Sequence, residues 1–282
     1  MSSESNGNKP DSVEPGPSSG TSPRLSARAP AAWGPVRDAL AALHNLGALL
    51  KGASVRYKVI LDLLPELRAC AGVLGDVFDR ASAGADEATR EVGEQGRRSV
   101  AQMIQLLDAT ALGDEERDDL AVRAKERADD LDAASEMLAL LERAADPVPT
   151  SVSIQLIVRE TGRLWGGGHR REVAVRFDDT GADVTIEADP YVVGPLLSLV
   201  LGLVRAAGAA DVVVRASGAE SQAVIEVEPA APGDAGVRPI TVRVLPALAP
   251  AEKTARRVAA QIGASLELAG TRAVLRLPKA PG

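Results

Sequence analysis

Apolar and polar positions change rhythm along this chain, and the changes mark its parts. Residues 1–30 are rich in Ser, Pro, Gly and Asn and offer almost nothing to bury. Such a stretch cannot offset the entropy of ordering, so a disordered tail is expected there. From Ala31 the pattern turns helical. Val36, Leu40, Leu43, Gly47, Leu50, Ser54, Tyr57, Leu61 and Leu64 recur at alternating spacings of four and three, a seam suited to helix bundles. Pro65 is expected to kink or break that helix. Leu67, Val73, Leu74, Val77 and Phe78 extend the apolar set to about Ser82, and Ser82–Asp86 reads as a turn. A further helix is expected over Glu87–Ala111, its second half better patterned than the first, which carries Gly93 and Gly96. Another, strongly charged, covers Glu115–Ala145 and stops at Pro147 and Pro149.

Beyond the prolines the period shortens. Val152–Leu164 reads as a short amphipathic helix and Gly166–His169 as a turn. Glu172–Phe177 and Asp183–Ala188 alternate as half-buried strands. Next comes ADPYVVGPLLSLVLGLVRAA, Ala188 to Ala207, apolar nearly all round and therefore a helix buried on most sides. Strand patterns follow at Val212–Ala216, Ala223–Glu228 and Ile240–Leu245, then a helix over Ala251–Ile262. A hairpin around Gly270 closes the chain. The expected fold is α+β: an N-terminal helical bundle over 31–146, then a C-terminal α/β sandwich over 147–282 with a mixed sheet and its helices on one face.

Composition narrows the function classes. Aromatic residues are only 2% of the chain, so its cores must be built from Ala, Leu and Val. A formal charge of −7 gives no basic footprint for nucleic acid. One cysteine, Cys70, excludes an internal disulfide and a cysteine-rich metal site. No run is long and apolar enough to suggest a membrane span or a signal peptide, so a cytoplasmic location is the expectation. Nothing in the spacing of His and carboxylates points to a metal.

The last 130 or so residues, from about Val148 to Pro278, resemble the GHKL-type ATP-binding domain of bacterial sensor histidine kinases. The likeness rests on the Ala188-Asp189-Pro190 corner opening the main helix and on the ending ARRVAAQIGASLELAGTRAVLRLP, Ala255 to Pro278. The resemblance also implies what is missing. Two helix asparagines that help hold Mg²⁺ and line the nucleotide site are replaced by Leu199 and Leu203, which offer that hard cation no oxygen. A carboxylate that reads adenine is matched by Glu228, but the glycines after it become Ala and Pro. The second glycine motif becomes ALAPAEK, Ala247 to Lys253, where Pro250 lacks the amide that would meet a phosphate. The expectation is a degenerate domain that binds no nucleotide cofactor.

Family members also carry a phosphoacceptor histidine in the first bundle helix, and the bundle is shared between two chains, so a homodimer is expected. His44, in LHNLGALLKG beside Leu43, is the candidate here. A neutral imidazole is nucleophilic near pH 7 and could relay a phosphoryl group. Asn45 stands where an acidic residue often assists, and the motif's proline is absent. The alternative for His44 is an ordinary helix histidine, exposed or packed. His169, beside Arg170 and Arg171, reads as a solvated basic turn. Two functions follow: a non-catalytic histidine-kinase-like protein contacting response regulators or kinases, or an ATP-independent histidine phosphotransferase using His44.

Overall fold

The computed structural model describes residues 33–52, 55, 57–113, 116–161, 171–178, 184–218, 222–231, 238–244 and 247–279. The tail expected over 1–30, Ser54, the turn with His169 and the segment 232–237 lie outside them. Helices α1 (Gly34–Lys51), α2 (Tyr57–Ser82), α3 (Glu87–Leu112) and α4 (Arg117–Ala145) come first. A two-stranded sheet of β1 (Thr150–Ser153) and β3 (Thr185–Ala188) flanks α5 (Ile154–Glu160). The six-stranded mixed sheet uses β2 (Arg171–Asp178), β4 (Val212–Gly218), β5 (Gln222–Pro229), β6 (Arg238–Val244), β7 (Ser265–Ala269) and β8 (Arg272–Pro278). Its strand order is β6-β2-β4-β5-β8-β7, and only β2 and β4 run parallel. Helices α6 (Pro190–Ala206) and α7 (Ala251–Gln261) complete the chain. The protein is a helical bundle followed by an α+β layer.

All four bundle helices come from one chain: α1 packs on α2 and α4, and α3 on α2 and α4. The seam residues Val36, Leu40, Leu43, Leu50 and Leu64 are buried inside that ring. The apolar seam is thus buried among the four helices of one chain.

Two expectations about helix continuity need correction. The first helix ends at Lys51, where Gly52 adopts an extended conformation as cap, and α2 begins at Tyr57. Pro65, expected to interrupt, lies inside an unbroken α2. Burial of Ile60, Leu64, Leu67 and Ala71 on both sides of it offsets the lost amide bond. The first half of α3 is as helical as the second, and its glycines serve packing. A Cβ at Gly96 would sit 2.1 Å from the Phe78 ring, and one at Gly93 would sit 2.3 Å from the Ser82 amide nitrogen. These two positions let α2 and α3 approach closely. Asp86 caps α3 by accepting from the Thr89 amide, and Gly113, at φ 72°, ends it.

In the second half, the expected helix over Val152–Leu164 opens with the short strand β1, and α5 starts only at Ile154, capped by Ser153. Helix α6 forms as its apolar pattern requires. Pro190 occupies its first turn, and nearly every residue from Val192 to Val204 is buried. It packs on the sheet and on α7. Phe177, Val214, Ile225, Val227 and Leu275 face this helical layer. The opposite face carries Asp178, Arg215, Glu226, Glu228, Arg272 and Arg276. One greasy face and one charged face is the period-two alternation of a sheet covered on one side only.

Candidate functional site

The residues singled out by the sequence fall in three places. His44 lies on α1 against α4. Its side chain is 3% exposed, and Nδ1 stands 3.7 Å from Oδ1 of Asp129, which also receives Nζ of Lys125 at 2.6 Å. Close passage of the two helices here depends on Gly47, where a Cβ would lie 3.2 Å from the Ala121 carbonyl. The imidazole is therefore a packed group at a helix–helix seam, with a carboxylate near its ring but beyond hydrogen-bond distance. A receiver domain's aspartate cannot touch it unless α1 and α4 separate.

Leu199 and Leu203 stand one turn apart on α6. Leu199 is fully buried in the core, and Leu203 packs against that core partly exposed. Leu199 is surrounded by hydrocarbon, and Leu203 rests on it with one side open, where the family resemblance implies amide oxygens. Leu196, Leu197, Val200 and Leu201 are buried around them, leaving α6 nothing polar in this stretch except Ser198. Among the described residues no three His, Cys, Asp or Glu side chains are grouped so as to hold a metal ion.

Glu228 does not face α6 at all. It pairs in register with Val213 of β4 and projects from the sheet's outer face. There it receives Nη1 of Arg215 and lies 3.6 Å from Nε of Arg272. Arg215 lies 3.5 Å from Asp178, and Arg272 also reaches Glu226 at 3.2 Å, so the carboxylate belongs to a ladder of alternating charge across four strands. The inward neighbours in β5 are Ile225 and Val227. Strand geometry explains the outcome, because adjacent residues take opposite faces.

The start of α7 is equally unsuited to an anion. Pro250 is the N-cap, the Ala251 amide is already donated to the Leu248 carbonyl, and Glu252 puts a negative charge in the first turn. Lys253 turns away to α3, bonding Glu91 at 2.5 Å and Glu87 at 2.9 Å, and Arg257 reaches Asp86 at 2.9 Å. Partial burial pushes Asp86 upward. Hydrogen bonds from Thr89 and the Arg257 charge outweigh that and hold its carboxyl below the ordinary range. Glu87 is lowered chiefly by its hydrogen bond from Lys253, whose own ammonium is raised mainly by Glu91 and Glu87.

The sequence reading missed the most connected polar residue. Asp189 caps α6 by accepting from the Tyr191 amide at 2.9 Å. Its other oxygen accepts from Nε of Arg143, at the end of α4, at 2.8 Å and from the Val148 amide at 3.0 Å. Its side chain is fully buried, and the Arg143 guanidinium also lies 5.3 Å from the Tyr191 ring centre. One carboxylate thus ties the bundle's last helix, the connecting segment and the main helix of the second half. The proline behind Asp189 announced a helix start, but a tie to a residue 46 positions away leaves no local signal.

No family model matches the chain, and no curated protein does. Among solved structures it is similar to the histidine kinase AdeS of Acinetobacter baumannii. The identity is 8% and the TM-score 0.44, covering 65% of this chain and 95% of that one.

Proposed function

We propose that this chain is a non-catalytic signalling protein of histidine-kinase-like build, working through protein contacts in a two-component-type pathway. One observation carries the reading. Leu199 and Leu203, at the positions where the resemblance implies Mg²⁺-binding asparagines, lie in and against the hydrophobic core. Supporting it, Glu228 is engaged by arginines on the opposite face of the sheet, and the α7 N-terminus offers an acidic first turn. The partners in this reading are response regulators or active kinases, and no cofactor is needed. The homodimer expected from the resemblance is part of this reading, and light scattering tests it through the molecular mass.

A second reading, ATP-independent phosphotransfer through His44, is favoured by Asp129 beside Nδ1. At 3.7 Å that carboxylate acts on the ring through its charge, beyond the range of a hydrogen bond. Incubation with phosphorylated receiver domains separates the two. Stable complexes without acid-labile phosphate on the protein support the contact role. Phosphate that appears on the wild type and is lost in His44→Ala establishes the relay.

A further inference from the structure

A cleft of about 500 Å³ lies where the helical bundle meets α7, away from His44, Leu199 and Glu228. Its floor is aliphatic. Val77 of α2 and Leu138 and Leu141 of α4 line it, and both leucines are almost fully buried. Four charged side chains ring the opening: Arg80, Asp86, Glu142 and Arg257. The two acids are already engaged. Asp86 accepts from the Thr89 amide and hydroxyl and pairs with Arg257, while Glu142 accepts from the Trp33 indole at 3.0 Å. Arg80 has no ion pair among the described residues. An apolar floor under a rim whose uncommitted charge is a guanidinium fits a molecule with a hydrocarbon body and an anionic head.

We propose that this cleft binds an amphipathic organic anion, its apolar body on Val77, Leu138 and Leu141 and its carboxylate or phosphate head at Arg80. The cleft is bounded by α2, α3 and α4 on one side and by α7 on the other, so such a ligand holds the bundle and the α/β half together. The inference is independent of the proposed signalling role, since it needs neither ATP nor His44.

The full chain is titrated calorimetrically with decanoate, kept below its micellar range, and with decyltrimethylammonium as the cationic counterpart. Decanoate is expected to bind at one site and raise the melting temperature, and the cation to do neither. Arg80→Ala, at an exposed position, should weaken decanoate about tenfold through loss of a charge-assisted contact. Ala145→Trp should close the cleft from its exposed rim, with circular dichroism verifying that both variants fold. The proposal is overturned if decanoate gives no heat, if the cation binds equally well, or if Arg80→Ala binds as the wild type does.

Discussion

Each half of the molecule holds one residue that the family resemblance singles out, and the structure turns the two in opposite directions. In the bundle, His44 is drawn inward, packed against α4 with Asp129 at its ring. In the sheet, Glu228 is turned outward, into a ladder of arginines on the face away from α6. A helix seam and a strand register decide this, not the identity of either residue. The contrast teaches that a residue at a motif position does not make a site until its direction is known.

The comparison is broken most forcefully on α6. Leu199→Asn introduces an amide into the dry core, and should cost about 4 kcal/mol through lost packing and an unsatisfied polar group. If urea unfolding shows it neutral, the region is hydrated and the packed-core account of α6 is wrong. Asp189→Ala should cost about 3 kcal/mol, since it removes a helix cap and strands the Arg143 guanidinium and the Val148 amide. Its signature would be early loss of α6 protection in hydrogen exchange. Gly96→Ala should cost about 2 kcal/mol by forcing the Phe78 ring aside. Gly72→Ala, in open space on α2, should instead gain about 0.5–1 kcal/mol. Equal effects at the two glycines would show that α2 and α3 are not packed as closely as described.

The smallest effect concerns the contact between the halves. Asp86 is lowered in the folded state, so its contribution is complete above the unfolded value, about 3.9, and is lost as pH falls through the folded one. Spectroscopic probes on α7 should report loosening from α3 only below about pH 4, and Asp86→Asn should shrink that step while the Lys253 pairs with Glu87 and Glu91 keep the rest. A step near neutral pH would assign the contact to other groups.

Much of the architecture was legible because it rests on period. The buried α6 run, the alternation in β4, β5 and β8, and the proline stop after α4 are local patterns that packing then uses. What escaped depends on partners far along the chain. Pro65 reads as a breaker because its cost is local, while the compensating burial comes from α1 and α3. Gly93 and Gly96 read as weak helix and are close-packing positions, a distinction visible only once Phe78 and Ser82 stand opposite. The seam correctly announced a bundle but could not say whose helices fill it. For His44 and Glu228, chemistry was readable and direction was not. A register shift of one residue in β5 would have turned Glu228 inward.

The most direct test of the central claim is calorimetric titration of the full chain with Mg-ATP, accompanied by a thermal melt. The account predicts no heat of binding and no shift in melting temperature even at millimolar nucleotide. Micromolar affinity, lost when Leu199 or the α7 N-terminus is altered, would contradict it and show that this half of the chain holds a nucleotide site.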